Sequence, residues 1–137
     1  MSGWMDAADL IWNRAALEKG GNSREAGDRA LADVLAFHGL AMSGGVLDAI
    51  ERTSVSDQAT IGAAFRWFGL EPVDDLLASV RRDIEAGALD DLDRAEALEL
   101  AADRNYRAIV RSDEVLVSAF RQRLRDDPSA FAPCAAD

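Results

Sequence analysis

Apolar residues recur every three to four positions along almost the whole chain, and no segment alternates apolar and polar residues as a half-buried strand does. This periodicity predicts an all-α fold: a compact single-domain array of six or seven amphipathic helices, joined by short turns, over residues 1–137. The predicted helices begin near residues 5, 24, 46, 56, 72, 91 and 112. The first lies within residues 1–22, and residues 128–137 are expected to form an irregular C-terminal tail.

Glycines and helix-capping residues set the predicted boundaries. A glycine pair at 20–21 stops the first helix. The pair Gly44 and Gly45 breaks the chain after the second helix, because two consecutive glycines weaken a helix and permit positive φ. Ser56 and Ser112 are the predicted N-caps of the fourth and seventh helices, since a serine hydroxyl satisfies a free N–H of the first turn.

Composition limits the class of partner. The chain has 15 basic and 25 acidic residues, a net charge of −10, which repels nucleic acid and anionic lipid and favours a basic protein partner. Cys134 is the only cysteine, so neither a disulfide framework nor a four-ligand zinc site is expected. No export signal is evident, and no run approaches the roughly 20 apolar residues of a membrane helix. We therefore expect a cytoplasmic protein that binds neither membrane nor nucleic acid directly.

The negative charge is concentrated in one quarter of the sequence. Residues 71–103, here called the acidic segment, hold eleven acids and three bases, whereas residues 104–137 hold five and six. We predict that these eleven acids form the partner-binding surface. They are Glu71, Asp74, Asp75, Asp83, Glu85, Asp90, Asp91, Asp93, Glu96, Glu99 and Asp103.

Four of these acids share one predicted helix face. At 100° per residue, Asp93, Glu96, Glu99 and Asp103 fall within an arc of about 120°, away from the apolar stripe of the same helix. This acidic rail spaces its carboxylates along the helix about as densely as one DNA strand spaces its phosphates, near 3.4 Å each. It is interpreted either as a surface that imitates a polyanion or as an ordinary solvated helix face.

The other chemistry-bearing residues favour structure over catalysis. His38, the only histidine, lies on an apolar helix stripe, so we expect a partly buried ring whose nitrogens are satisfied by backbone or a nearby acid. The run 90–93 lacks the ligand spacing of a calcium loop. No nucleophile, dinucleotide or zinc motif is found, so no enzyme activity, metal or cofactor is expected.

A glycine corner and an aromatic helix end complete the set of candidates. The turn Ser43, Gly44, Gly45 could present backbone N–H groups to an anion, but it lacks the lysine of a phosphate-binding loop, so a corner between helices is expected. Trp67 is expected to extend the core, and Gly69 to end its helix in a left-handed conformation. With His38 and Tyr106, these residues mark the place where a pocket is to be sought.

Residues 38–133 resemble a family of small helical bacterial domains of unknown function that includes a DNA-mimic protein. The resemblance is carried by three segments: the residues 38–46 (HGLAMSGGV), the residues 65–70 (FRWFGL), and Tyr106 and Asp113 ahead of the residues 128–133 (PSAFAP). Family members usually have asparagine and an aromatic residue where Ser43 and Val46 stand here. The resemblance implies an all-helical fold, a homodimer and, for at least one member, an acidic surface that occupies the DNA-binding face of a transcription factor.

Three functional hypotheses follow. The first is a non-enzymatic bacterial protein whose acidic segment binds a basic DNA-binding regulator, as a DNA mimic would. The second is an immunity-type protein that inhibits a toxin, for which the same surface would serve. The third is a small ligand-binding domain or enzyme with a pocket near His38 and Tyr106.

Overall fold

The computed structural model describes residues 6–134, which are helical almost throughout and contain no strand. Seven α-helices follow one another with short connections, and two 3₁₀ turns, at Ala88–Asp90 and Pro128–Ala130, flank the last two. The helices are α1 (Ala7–Glu18), α2 (Ala26–Gly44), α3 (Val46–Glu51), α4 (Val55–Trp67), α5 (Glu71–Glu85), α6 (Leu92–Ile109) and α7 (Asp113–Asp126). The all-α prediction is confirmed, and so is the number of helices.

One predicted cap is wrong, and a second is in the predicted position but lacks its hydrogen bond. Helix α4 is capped by Ser54, whose hydroxyl accepts the N–H of Asp57 at 3.0 Å, and not by Ser56, which lies inside the first turn. Ser112 occupies the N-cap position of α7, but its side chain forms no capping bond. Helix α1 begins after Asp6, which forms a reciprocal capping box with Asp9. Its predicted start at Met5 lies outside the described residues.

The glycine corners are where the pattern placed them. Helix α2 continues to Gly44, so the first glycine of the pair lies inside the helix, and Gly45 has a φ of 94°, which turns the chain directly into α3. Gly69 has a φ of 82° just after α4, as predicted for a left-handed stop. Only glycine adopts such φ values without strain, so both positions fix the angle between consecutive helices.

One hydrophobic core joins all seven helices. Helix α2 lies at its centre and packs against α1, α3 and α4, while α5 packs between α4 and α6. Phe37 of α2 contacts both Phe65 and Tyr106 edge-on, with ring centroids 5.9 and 6.1 Å apart. Among the described residues, Tyr106 has the largest fully buried side chain, so the second half of α6 is anchored in the core.

A buried carboxylate ties the C-terminal segment to the core. Asp28 at the start of α2 is completely buried; it pairs with Arg14 of α1 at 2.6 Å and accepts bonds from Ser23 and from the N–H of Ala132 at 2.8 Å. Arg14 also donates to the carbonyl of Ala132 at 2.9 Å. Both backbone groups of Ala132 are therefore held by one ion pair.

Candidate functional site

The acidic segment is divided between acids with a structural partner and acids exposed to solvent. Arg66 of α4 binds two of them, donating to Asp74 at 2.8 Å and to Asp75 at 2.9 Å. The two carboxylates hold the Arg66 guanidinium in its charged form and raise its pKa. This part of the acidic segment serves the packing of α4 against α5, and its charge is partly cancelled by the chain itself.

Asp103 does not belong to the exposed acidic rail. Its side chain is half-buried, and its carboxylate accepts the N–H of Val46, the first residue of α3, at 2.8 Å. A carboxylate is favourable at this place because the N–H groups at a helix start carry partial positive charge. The anion site considered at the Gly44-Gly45 corner is thus filled by the chain's own Asp103, and the prediction that Asp103 faces outward is wrong.

Asp91 likewise has a structural partner. It is the N-cap of α6 and accepts the N–H of Asp93 at 2.9 Å. The other seven predicted acids are exposed, and within residues 6–134 none of their carboxylates forms an ion pair. They are Glu71, Asp83, Glu85, Asp90, Asp93, Glu96 and Glu99. Five of them lie between residues 83 and 96, where α5 ends and α6 begins.

Exposed leucines lie among these acids. Leu92 is 81% exposed at the first position of α6, and Leu100 is 65% exposed at its middle. The first half of α6 buries little, since the side chains of Ala102 and Tyr106 are the fully buried ones and both lie in the second half. Both leucines lie outside the apolar stripe that sequence periodicity assigned to this helix, at solvent-exposed positions.

His38 connects α2 to α6 and α7. The hydroxyl of Tyr106 lies 2.7 Å from Nδ1 of His38, and a carboxylate oxygen of Asp113 lies 3.1 Å from Nε2. A neutral ring protonated at Nε2 satisfies every group, because the hydroxyl then donates to Nδ1 and the ring N–H donates to Asp113. The expected partly buried histidine with an acid beside it is confirmed, and Tyr106 is the partner that spacing alone did not reveal.

Burial governs the chemistry of this cluster. The pKa of the Tyr106 hydroxyl is raised far above its ordinary value, first by burial and second by the nearby negative charge of Asp113. The Tyr106 side chain is 1% exposed and therefore cannot touch a bound molecule, whereas the Asp113 side chain is 84% exposed. The arrangement holds His38 in a fixed orientation and keeps the Tyr106 hydroxyl away from solvent.

An open cleft lies beside His38. It has a volume of about 390 Å³ and is bounded by α1, α2 and the first turns of α7. Trp12, Leu35 and Leu116 form much of its apolar wall, and Lys19 and Asp113 contribute charged groups. Of the residues predicted to mark a pocket, only His38 lines this cleft. Tyr106 lies behind His38, and the glycine corner at 43–45, Trp67 and Gly69 are not part of the cleft.

The aromatic end of α4 packs against α7, whereas the glycine corner is exposed. Trp67 is half-buried, packs against Phe68 with ring centroids 4.8 Å apart, and carries the guanidinium of Arg123 over its ring at 4.2 Å. This contact joins α4 to α7 and agrees with the expectation that Trp67 extends the core. Ser43 and Gly44 are exposed, and Gly69 turns the chain toward α5.

No protein-family model, curated protein or solved structure matches this chain. The resemblance to the family of the DNA-mimic protein therefore stays a prediction. Within residues 6–134, no three potential metal ligands among histidine, cysteine and the acids come together in a way that could hold an ion. In the same part of the chain, every helix is too short or too polar to cross a lipid bilayer.

Proposed function

We propose that this chain is a non-enzymatic, cytoplasmic bacterial interaction protein whose exposed acids bind a basic protein, with a DNA-binding regulator as the leading partner. The observation that carries the proposal is the set of seven exposed acids of the acidic segment that have no ion pair within residues 6–134. Five of them are concentrated around the connection between α5 and α6, where Asp83, Asp90 and Asp93 lie close in sequence.

Exposed like charges give a fold no benefit of their own. Neighbouring acids such as Glu96 and Glu99 repel each other by a few tenths of a kcal/mol at helical spacing. A cationic partner would turn this repulsion into attraction and would be steered to the surface by the net charge of −10. The resemblance to a family with a DNA-mimic member agrees with this reading.

The test distinguishes binding by these acids from binding by the net charge of the whole chain. Full-length protein is immobilised and used to capture partners from a bacterial lysate, and it is compared with the variant Asp83→Asn, Asp90→Asn, Glu99→Gln. The matched control is Glu18→Gln, Glu51→Gln, Glu114→Gln, which removes the same charge from exposed acids outside the segment.

A basic partner should be retained by the wild type and the control and lost by the first variant. Its retention should fall between 50 and 300 mM salt, on the order of the range over which exposed charges become screened. Elution of the partner by duplex DNA identifies a DNA-binding regulator, whereas a partner indifferent to DNA favours the inhibition of a toxin. Equal capture by all three proteins would contradict the proposal.

A second candidate function is the binding of a small amphipathic molecule in the cleft beside His38. It is favoured by the apolar walls, the charged Lys19 and the fixed imidazole at the rim. Naphthalene-2-sulfonate, an apolar ring with an anion, is a suitable probe. Chemical-shift changes at His38 and Trp12, absent in an Ala36→Trp variant that fills the cleft, would support it; no change at millimolar probe would exclude this class of ligand.

A further inference from the structure

A groove that plays no part in the proposed functions runs between α2 and α4. It consists of two adjoining clefts of about 280 and 330 Å³, and Asp33 and Thr60 line both of them. We call the two clefts together the α2–α4 groove. Its apolar half is lined mainly by four alanines and Trp67, and its polar half contains Thr53 and Asp57. Apolar walls with a few polar groups are typical of sites for small molecules.

Asp33 lies where the two halves meet, and no hydrogen-bond donor of the described chain reaches it. Its side chain is half-buried, and within residues 6–134 its carboxylate accepts no hydrogen bond and forms no salt bridge. Burial, together with the negative charge of Asp57, raises the pKa of Asp33. On the same helix, the buried carboxylate of Asp28 accepts three bonds. The fold therefore provides partners for Asp28 and none for Asp33.

Local helix structure does not explain a carboxylate at position 33. Asp57 lies in the first turn of α4, where the N–H groups of the helix start favour a negative charge. Asp33 lies in the middle of α2, where the helix dipole has no such effect. Arg29 precedes it by four residues, the spacing of a helical ion pair, but the two side chains form none. A charge that opposes folding and lines a groove indicates a binding role.

The polar side chains beside Asp33 are mainly hydrogen-bond acceptors. The hydroxyls of Thr53 and Thr60 each donate to the carbonyl four residues earlier, at 2.7 and 3.3 Å. Each hydroxyl has thereby used its one donor, but its oxygen can still accept a bond. Arg52 directs its Nε to Asp48 at 2.9 Å. A ligand that satisfies this half of the groove must therefore bring donors and positive charge.

We propose that the α2–α4 groove binds a small primary amine that carries an apolar group. The ammonium donates to the carboxylate of Asp33 and to the hydroxyl oxygen of Thr60, and the charge of Asp57 attracts it further. The apolar group covers the alanines of the other half and extends toward Trp67. An ammonium has three donors and no acceptor, which matches a lining of acceptors. Binding gives the unpaired carboxylate of Asp33 a charge-assisted hydrogen bond.

A divalent metal ion fits this groove less well than an amine does. Within the described residues, no three histidine, cysteine or acidic side chains come together to hold a metal ion. Asp33 and Asp57 supply two carboxylates, whereas calcium is bound by about 6–8 oxygen ligands. A metal ion would also leave the alanines and Trp67 of the apolar half without a role.

Amine binding does not depend on the proposed binding of a basic protein. Asp33 and Asp57 lie outside residues 71–103, and none of the acids changed in the capture experiment lines the α2–α4 groove. The groove is also separate from the cleft beside His38, since the two have no lining residue in common. Failure of one proposal therefore leaves the others standing.

The probe is 2-phenylethylamine, which is titrated into the full-length chain and followed by heteronuclear NMR. We expect saturable chemical-shift changes at millimolar probe, concentrated at the backbone amides of Asp33, Thr60 and Ala63. The alcohol 2-phenylethanol has the same ring and chain without the charge, and it should cause no such changes. Ethylamine has the charge without the ring and should bind more weakly, because it buries less apolar surface.

Variants identify the groups that bind the ammonium. Asp33→Asn should weaken the binding of the probe about tenfold or more, because it removes the charged acceptor of the hydrogen bond. Asp57→Asn should weaken it by about twofold to fivefold, and Arg29→Gln should tighten it by a similar factor, since Arg29 is a competing cation in the groove. The control Glu51→Gln removes an exposed acid outside the groove and should leave binding unchanged. Circular dichroism confirms that each variant is folded.

Three results would overturn the proposal. One is the absence of chemical-shift changes at the groove residues with millimolar 2-phenylethylamine. Another is a dissociation constant that changes no more in Asp33→Asn than in Glu51→Gln, which would mean that the probe responds only to the net charge of the chain. The third is equal binding of 2-phenylethanol, which would show that the carboxylate of Asp33 has no part in recognition.

Discussion

Removal of the Asp28 carboxylate should be among the most damaging single changes in this chain. The side chain is fully buried and accepts three bonds, from Arg14, Ser23 and the N–H of Ala132. In Asp28→Ala, the guanidinium of Arg14 keeps only the carbonyl of Ala132 as a partner, and its side chain is just 16% exposed. Water therefore has little access to replace the lost carboxylate.

The expected magnitude follows from the unpaired charge. Removing one partner of a buried ion pair costs about 3–5 kcal/mol, because the remaining charge stays desolvated. Asp28→Asn keeps the shape and one acceptor oxygen but places an NH₂ group against a donor, and it should cost about 1–3 kcal/mol. A domain of this size has a total stability of roughly 5–15 kcal/mol, so Asp28→Ala would consume a large part of it.

The assay is urea unfolding followed by circular dichroism at 222 nm. The control is Asp48→Ala, which removes an exposed carboxylate paired with Arg52 four residues along the same helical turn. Exposed pairs at this spacing contribute about 0.3–0.5 kcal/mol, so the control should unfold almost like the wild type. The reasoning is refuted if Asp28→Ala and Asp48→Ala lower the free energy of unfolding by the same amount.

Three further predictions rest on burial. Gly27→Ala places a methyl group 2.6 Å from the carbonyl of Ala130 and should destabilise the chain by about 1–3 kcal/mol. Gly39→Ala on the same helix meets nothing within 4 Å and should stabilise the chain by about 0.5–1 kcal/mol. Urea unfolding measures both variants, and a change of the same sign in the free energy of unfolding would contradict the packing of the C-terminal segment. The pKa of Asp33 is raised by burial and by the charge of Asp57, so the charged form of this carboxyl opposes folding. Asp33→Asn should therefore stabilise the chain at pH 7. This gain should vanish as acid protonates the wild-type carboxyl, which unfolding measurements at pH 3 and pH 7 would reveal. Tyr106 is the only tyrosine, and its pKa is raised by burial. Absorbance at 295 nm should therefore show no tyrosinate at pH 10.5 in the folded chain, whereas in urea the tyrosine should titrate around its ordinary pKa near 10. A titration of the folded chain near pH 10 would refute the burial of Tyr106.

Local periodicity predicted the helices correctly but did not predict their exact ends. Ser54 and Ser56 are both ordinary N-cap residues two positions apart, and the pattern favoured the second. The structure uses the first, because Ser54 has the N–H of Asp57 within reach while Ser56 lies inside the helix. Such a choice depends on which turn of the helix packs in the core, and that information is not local.

Charged residues with distant partners could not be found from the sequence. Asp28 lies between a glycine and an arginine near a helix start, a position typical of a solvated acid, yet its partners are 14 residues before it and 104 residues after it. Asp113 was noted only through the family resemblance, and its contact with His38 spans 75 residues. Burial of a polar group is decided by the groups that meet it in the folded chain.

The acidic segment contains acids that have a partner within the chain and acids that are exposed to solvent. Its net charge alone therefore does not measure the surface available to a partner. Helical angles placed Asp103 beside Glu99 on one outward face, but α3 packs against α6 and presents the N–H of Val46 to Asp103. Glu99 meets no such group and remains exposed. Because two acids of one rail differ in this way, the count of carboxylates overstates the surface open to a partner. Folding does not explain the positions of the exposed acids, so these acids alone support the proposal that the segment binds a partner.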